Sequence, residues 1–513
     1  MLEALFDNSP PQVADIDEME SHELGLMNVV RLELCIVGLI PTNGIVNDRW
    51  KLKLFRYYQN VMICVYIPVM LGQLMAIQHF WGDLDTVTDC AGMFSVFVAC
   101  FFDYLYLIEH EKTILHVCEV LEETPIPKVK NPRLIEKYLA IVEICRTEIR
   151  IVMEIFWGLA AIGAIKWLLY NPIENLIIDR HFLNHTLKED KPNADFVFII
   201  WFPFDATWSP LFEIIYMFQS ILLVMATCHN ICANSTFLTF MVHAWGKLEF
   251  VECTVSSIDD ELNPKRVGDE AVEDKISEIF GEFDDEDTIP AADDTNDDDT
   301  TVTLEEEAEQ ETGLNGDLQV FSPEGANTNS DVVPVENGVE VAMDAHVEYL
   351  KRCVKQHQDA IDFVHELDDL VSTWLAVRMF AFQMVAAGEV FQLIVNMDDW
   401  EKLVGHGTIL FFIFAQILIY CWFGEQILQG GWDVDRAVYE TPWFTYSQTY
   451  RKNLILIIMR AQRPVEVTVG HYYSLSLQSC ELILQNIYFF SMFLNQINNK
   501  ASKQAALAEL EAF

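Results

Sequence analysis

Seven long apolar stretches constrain this chain of 513 residues more than any other feature. A helix that crosses a bilayer needs about 20 predominantly apolar residues, and each stretch reaches that length. The fourth stretch is long and the seventh is the least hydrophobic. Together they predict an all-α membrane protein with seven transmembrane helices, over residues 56–80, 86–110, 150–171, 209–240, 374–397, 408–430 and 473–497.

Basic residues near the ends of these stretches indicate how the chain is oriented. Sixteen Lys and Arg residues lie on the side of the first stretch's start, against 4 on the opposite side. Cytoplasmic loops carry the excess of such residues, so the N-terminus is expected in the cytoplasm and the C-terminus outside. The sequon Asn184-His185-Thr186 lies in an outer loop, which predicts glycosylation of Asn184. A second sequon at Asn234 lies inside the fourth stretch and is interpreted as chance.

The acidic residues are concentrated in one segment. The whole chain is 51% hydrophobic and yet has a net charge of −46, and residues 259–340 alone hold 28 acidic and 3 basic residues. Such a segment cannot bury enough apolar surface to offset its chain entropy, so we expect an acidic, disordered cytoplasmic loop over 254–345. No basic stripe is present to replace phosphate counterions, which argues against nucleic-acid binding.

No arrangement of residues predicts catalysis. The 12 cysteines are scattered without a CxxC pair, and HExxH, P-loop and GxGxxG motifs are absent, so we expect no enzyme, metal or cofactor. Charged residues inside apolar stretches are rare and often functional. Of the five here, Glu389 is expected to be the most buried, whereas Lys166, Glu213 and Arg378 lie near stretch ends and can extend to the interface; the fifth is Asp103.

The last apolar stretch has a mixed polar and apolar face. At 100° per residue, Asn486, Phe490, Phe493 and Ile497 fall within about 60° of one another, with Gln496 beside them. Such a stripe suits a helix that faces a symmetry axis, where amides hydrate an ion and apolar rings exclude water. Ordinary packing against a neighbouring helix is the alternative.

Motifs in the C-terminal third make the sequence more specific. Residues 350–497 contain Leu350-x-x-Cys353-Val354-x-x-His357-x-x-x-Ile361, Tyr420-Cys421-x-x-Gly424-Glu425, Ala437-Val438-Tyr439-Glu440-Thr441-Pro442-Trp443, Tyr450-Arg451-Lys452 and Met459-Arg460-Ala461-Gln462-Arg463-Pro464. In this order and spacing the chain resembles the insect odorant receptor family. The resemblance implies a ligand-gated, non-selective cation channel of four subunits in the plasma membrane of sensory neurons. A small volatile odorant would open it, and membrane lipid would surround it.

The resemblance also assigns site residues. Phe493, Gln496 and Ile497 match the family's gate and filter positions on the last helix, which lines the pore. The family's ligand pocket lies in the outer half between the second, third, fourth and sixth spans. Its third-span pattern, small-x-x-Gly-x-x-x-Trp, is present here. The implied pocket residues are Met93, Phe94, Phe97, Ala160, Gly163, Trp167, Ile214, Ile215, Phe218, Ile409 and Phe412.

The expected organisation follows from the stretches and the resemblance. It comprises a cytoplasmic N-terminal segment 1–55, spans one to four with the pocket region in 56–253, the acidic loop 254–345, an amphipathic helix with spans five and six and an anchor domain in 346–472, the pore-lining span 473–497, and a tail 498–513. Family members end soon after the pore helix, so the tail is either a native extension or an addition. The last helix does not resemble the co-receptor's, which favours a ligand-tuned subunit.

Other assignments remain open at this level. The partner is either the family's co-receptor, in a heterotetramer, or further copies of this chain. A gustatory-branch channel would need a more polar pocket than the one proposed. A seven-span G-protein-coupled receptor would have its N-terminus outside, and a transporter would show inverted repeats, which the sequence lacks.

Overall fold

The computed structural model describes residues 30–122, 132–165, 196–204, 206, 208, 210–258 and 335–512. A one-turn helix, Asn43–Val46, precedes α1, and a 3-10 turn, Trp443–Thr445, precedes α8. Two short strands, β1 (Thr468–Val469) and β2 (Tyr473–Ser474), precede α9. The longer helices of this part of the chain are α1 Arg49–His79, α2 Leu84–Glu109, α3 Glu111–Glu122, α4 Pro132–Ile165, α5 Leu211–Ser256, α6 Val335–Val395, α7 Trp400–Glu440, α8 Gln448–Ala461 and α9 Leu477–Ala512.

The chain divides into two units, Met1–Glu261 with His346–Phe513, and Leu262–Ala345. The first unit contains all the sites considered below. Helical backbone enters both ends of the acidic segment expected over 254–345, because α5 continues to Ser256 and α6 begins at Val335. The rest of that segment, like the loop that contains Asn184, lies outside the described residues.

Five helical segments of the described residues are long and apolar enough to cross a membrane. They are Arg49–His79, Thr86–Glu109, Leu211–Ser256, His346–Val395 and Lys402–Glu440. The third predicted span, 150–171, continues past the described end of α4 at residue 165. The seventh, in α9, mixes amides with aromatic residues and falls short of the same criterion. Membrane crossing by α4 and α9, which would complete the seven spans, therefore remains a prediction. The tail predicted over 498–513 continues α9 as helix to Ala512.

The packing of α5 positions the site. This helix contacts α2, α4 and α7. From residue 231 to 242 its side chains are buried on every side of the helix, whereas nearer its start only one face is buried. A helix that is buried all round carries no amphipathic stripe. Residues 231–242 of α5 therefore form the core of the bundle. The preceding part of the helix leaves one face against a cavity.

Glycines allow the helices to approach closely at two places. A β-carbon on Gly246 of α5 would come within 2.8 Å of Cys145 Sγ of α4. A β-carbon on Gly424 of α7 would overlap the carbonyl oxygen of Leu475, just before α9. Only a residue without a side chain fits at such distances, so these glycines fix the separation of α4 from α5 and of α7 from the start of α9.

A β-hairpin connects α8 to α9 and is bound to α6. Thr468 pairs with Ser474, and the turn uses Gly470 and His471, both with positive φ. Ser372 of α6 accepts a hydrogen bond from the His471 N–H at 2.9 Å, and Asp368 accepts one from the Thr468 N–H at 2.6 Å. These bonds fix the point from which α9 begins.

Candidate functional site

A cavity of about 550 Å³ lies among α2, α4, α5 and α7. Its volume is within the usual range of small-molecule sites. Aromatic and aliphatic side chains form most of its wall, which suits a ligand that gains affinity from apolar surface removed from water. The lining residues are Met93, Val96, Phe97, Cys100, Phe156, Trp157, Leu159, Ala160, Ala161, Ile162, Gly163, Leu223, Val224, Ala226, Thr227, Cys228, Asn230, Ile231, Gly405, Thr408, Ile409, Phe412 and Gln416.

The cavity includes six of the residues that the family resemblance assigns to the pocket. They come from α2, α4 and α7, namely Met93, Phe97, Ala160, Gly163, Ile409 and Phe412. Trp167 lies outside the described residues. The assigned residues that do not line the cavity are Phe94, Ile214, Ile215 and Phe218.

The assigned residues and the residues that line the cavity differ most on α5. The cavity uses Leu223 to Ile231, whereas the assigned residues lie between Ile214 and Phe218. At 1.5 Å per residue the shift exceeds one helical turn. Ile214 is 61% exposed and Phe218 45% exposed, so this earlier part of α5 presents those side chains away from the cavity.

Polar side chains from three helices form part of the cavity wall. Cys100, Asn230 and Gln416, which we call the polar end, come from α2, α5 and α7. Asn230 Nδ2 lies 4.0 Å from Cys100 Sγ, which brings two of the three together. Sequence reasoning missed this set. The signal was the polar run Thr227-Cys228-His229-Asn230 within an otherwise apolar span.

A chain of hydrogen bonds continues from the polar end into the core. Asn234 Nδ2 donates to Asn230 Oδ1 at 2.6 Å, and Tyr420 Oη donates to Asn234 Oδ1 at 2.6 Å. Asn234 and Tyr420 are both fully buried. The sequon at Asn234 is thus inside the bundle. The Tyr420 ring also packs edge-on against Trp374 of α6, with 5.8 Å between ring centroids.

A buried ion pair lies one turn beyond the polar end along α2. Arg378 Nη1 of α6 donates to Asp103 Oδ2 at 2.7 Å, and Trp374 Nε1 donates to Asp103 Oδ1 at 2.7 Å. The expectations that Glu389 is the most buried of the intramembrane charges and that Arg378 extends to the interface are wrong. Asp103 and Arg378 are each 1% exposed, because each satisfies the other's charge. Glu389 is 13% exposed and pairs with His406.

The residues expected at the gate and filter lie on an exposed face of α9. Phe493 is 58% exposed and Ile497 40% exposed, and Gln496 is exposed beside them. About two helical turns before Phe493 on α9, Asn486 Nδ2 donates to Gln383 Oε1 of α6 at 3.3 Å. An apolar helix face left uncovered in a single chain is typical of a surface that meets another subunit or lipid.

Long apolar helices around a cavity are the architecture of a helical membrane protein. The family model of the 7tm odorant receptors matches residues 92–488, most of the chain. The chain belongs to this family, which points to a receptor or channel rather than an enzyme.

Curated odorant receptors of mosquitoes are similar over part of their length. Odorant receptor Or2 of Anopheles gambiae is 29% identical over 150 residues, which are 29% of this chain and 39% of that receptor. Odorant receptor 10 of Aedes albopictus is 28% identical over 148 residues, again 29% and 39% of the two chains. The chain therefore aligns with about two fifths of the length of these relatives.

A solved structure agrees over nearly the whole fold. The olfactory receptor OR5 of Machilis hrabei, in complex with eugenol, matches with a TM-score of 0.66 at 14% identity, covering 93% of this chain and 99% of that one. At this identity the likeness establishes the fold. The chain is thus an all-α membrane protein with the odorant receptor fold.

Proposed function

We propose that this chain is a subunit of an odorant-gated, non-selective cation channel in the plasma membrane of sensory neurons. The observation that carries the proposal is the cavity of about 550 Å³ among α2, α4, α5 and α7, in a member of the odorant receptor family. A small volatile molecule is the ligand that fits its size and its aromatic and aliphatic wall.

The energetics of such a site support a volatile ligand. Burial of apolar surface stabilises a complex by about 25 cal/mol per Å², so a ligand that buries about 200 Å² gains about 5 kcal/mol before the cost of association. A gain of about 5 kcal/mol corresponds to a dissociation constant of about 0.2 mM before that cost, so the affinity is weak. Weak and readily reversible binding suits a receptor that follows a fluctuating odour.

The pore in this proposal is formed by α9 around a fourfold axis. The exposed face with Phe493, Gln496 and Ile497 would then be covered by the same face of neighbouring subunits. An apolar ring of Phe493 closes by excluding water, and the Gln496 amides bind a partly dehydrated cation without fixed charge. The other subunits are the odorant receptor co-receptor or, alternatively, further copies of this chain.

The proposed membrane orientation places the N-terminus in the cytoplasm, the C-terminus outside and Asn184 in an outer loop. Treatment of the expressed protein with a peptide N-glycosidase tests it. A mobility shift that Asn184→Gln abolishes supports the orientation. The converse test places an engineered sequon in the N-terminal segment of Asn184→Gln. Glycosylation of that sequon, seen as a restored mobility shift, would contradict the orientation.

Electrophysiology tests the proposed function directly. The chain would be expressed alone and with the co-receptor in cells that lack an odorant response, and currents recorded while a panel of volatiles is applied. Odorant-evoked cation current that needs this chain supports the proposal. Surface expression in both settings without any evoked current contradicts it, and the comparison of the two settings separates homotetramer from heterotetramer.

A further inference from the structure

The polar end of the cavity is chemically directional. Tyr420 is fully buried, and its hydroxyl hydrogen is directed to Asn234 Oδ1 at 2.6 Å. The Asn234 NH₂ group lies towards Asn230 and donates to Asn230 Oδ1 at 2.6 Å. Asn230 therefore has its carbonyl oxygen engaged and its Nδ2 hydrogens left for other acceptors.

Among the described residues, only a weak acceptor meets those hydrogens. Asn230 Nδ2 lies 4.0 Å from Cys100 Sγ, and a thiol sulfur accepts hydrogen bonds weakly. Gln416 also lines the cavity, and among the described residues its amide has no hydrogen-bond partner. The polar end thus presents amide donors to the space that a ligand fills.

We infer that the cavity selects odorants that carry one hydrogen-bond-accepting oxygen, which accepts from Asn230 Nδ2 at the polar end while the hydrocarbon part fills the apolar remainder. The ligand class is that of volatile ethers, ketones, esters and alcohols rather than plain hydrocarbons. A hydrocarbon of the same shape would exclude water from the amide without replacing its hydrogen bond, and an amide left unpaired in an apolar site weakens binding. This inference rests on the proposed function and specifies the ligand.

Tyr420 acts in this inference as a positioning residue, because it reaches the ligand only through Asn234 and Asn230. Its hydroxyl engages Asn234 Oδ1, and the NH₂ group of Asn234 lies towards Asn230. Without that hydroxyl both amides are free to turn, and Asn230 can present its carbonyl oxygen instead. Discrimination for an acceptor oxygen should then fall while the cavity keeps its shape.

The test uses pairs of probes that differ by one oxygen at nearly constant shape. They are anisole against ethylbenzene, acetophenone against α-methylstyrene, and dipropyl ether against heptane. Dose-response curves are recorded for the channel with its co-receptor. A neutral hydrogen bond corresponds to about tenfold in affinity. In the parent chain we therefore expect half-maximal responses at about tenfold lower concentration for the oxygenated member.

Three variants identify the residues responsible. Asn230→Leu should reduce the difference between pair members to about twofold or less. Tyr420→Phe should reduce it to about threefold. Ser220→Ala is the control, since Ser220 lies on α5 outside the cavity lining and its hydroxyl donates to Tyr216 O at 2.8 Å. It should keep the full difference. Surface labelling confirms that each variant is assembled.

The outcomes separate this inference from the proposed function. Equal potency of both pair members in the parent overturns the inference, as does a difference that survives both Asn230→Leu and Tyr420→Phe. Absence of any evoked current instead counts against the proposed gating. Thermal melting of the purified channel in lipid nanodiscs then decides the ligand class. Stronger stabilisation by the oxygenated members that depends on Asn230 supports the inference, and equal stabilisation or none overturns it.

Discussion

Arg378 of α6 and Asp103 of α2 form an ion pair of 2.7 Å with both side chains 1% exposed. The Arg378 guanidinium also lies over the Phe382 ring, 4.9 Å from its centroid. This pair joins a wall helix of the cavity to the helix whose Gln383 accepts a hydrogen bond from Asn486 of α9. It therefore lies on a continuous line of contacts between the cavity and the proposed pore helix.

Removing one partner of this pair should destabilise the protein strongly. Asp103→Ala leaves an uncompensated buried charge on Arg378, which costs about 3–5 kcal/mol in comparable cases. We expect little or no protein at the cell surface, measured by surface biotinylation. The double variant Asp103→Leu with Arg378→Met removes both charges and should recover much of the surface level. Recovery no better than that of the single variant would contradict a compensating pair.

An exposed pair provides the control for this prediction. Lys51 Nζ lies 3.1 Å from Asp48 Oδ2, and about half of each side chain is exposed. Such pairs contribute about 0–1 kcal/mol because solvent screens them. Lys51→Ala should therefore leave the surface level near that of the parent chain.

The close approach of α7 to the start of α9 predicts a large effect from a small change. Gly424→Ala would place a β-carbon onto the carbonyl oxygen of Leu475, and backbone yields less readily than a side chain. Overpacking of this kind costs about 1–3 kcal/mol or more. A lower melting temperature of the purified protein should report it.

Gly158→Ala is the matched control for Gly424→Ala. A β-carbon at Gly158 on α4 meets nothing within 4 Å. Alanine is favoured over glycine in a helix by about 1 kcal/mol, so this variant should melt at or above the parent temperature. Equal melting of the two variants would mean that α7 and the Leu475 segment are not tightly packed.

Two positions, one on α7 and one on α5, test whether the ligand binds in the cavity or nearer the start of α5. Phe412 lines the cavity, whereas Ile214 lies outside it and is 61% exposed. Phe412→Ala removes a large apolar contact and should raise the half-maximal odorant concentration by about tenfold or more. Ile214→Ala should leave it unchanged. The reverse pattern in dose-response recordings would place the ligand nearer the start of α5.

On α4 and α7 the residues that the resemblance assigns coincide with the wall of the cavity. The small-x-x-Gly pattern of Ala160 and Gly163 lies in α4, and both residues line the cavity, as do Ile409 and Phe412 of α7. On α5 no such pattern exists. Residues 231–242 are buried on every side of this helix and carry no amphipathic stripe that could mark the face towards the cavity.

Pairing between distant helices could not be obtained from the sequence. Asp103 and Arg378 are 275 residues apart, and nothing local distinguishes a charge that pairs inside the bundle from one that extends to the interface. The same holds for Asn234 and Tyr420, which are 186 residues apart. Intramembrane polar residues can be found from sequence as functional candidates, but their partners depend on the tertiary packing.

Gln496 is expected to contribute to the conduction path near its outer end. Gln496→Arg would place up to four positive charges in a narrow path, and a cation would need several kcal/mol to approach them. Cation current should fall sharply at normal surface expression. Gln496→Asn, which keeps a neutral amide, is the control and should conduct nearly as the parent does. Unchanged permeability in Gln496→Arg would remove this residue from the pore.

Phe493, about one helical turn deeper than Gln496, is expected to close the pore by excluding water. Phe493→Ser replaces an apolar ring with a polar one that stays hydrated, so current in the absence of odorant should rise. Phe493→Leu keeps the site apolar and should stay closed at rest. In a complex with the co-receptor only the subunits that carry the change contribute, which reduces each effect but keeps its sign. Basal current that is equal in both variants would place the gate at another ring, such as that of Ile497.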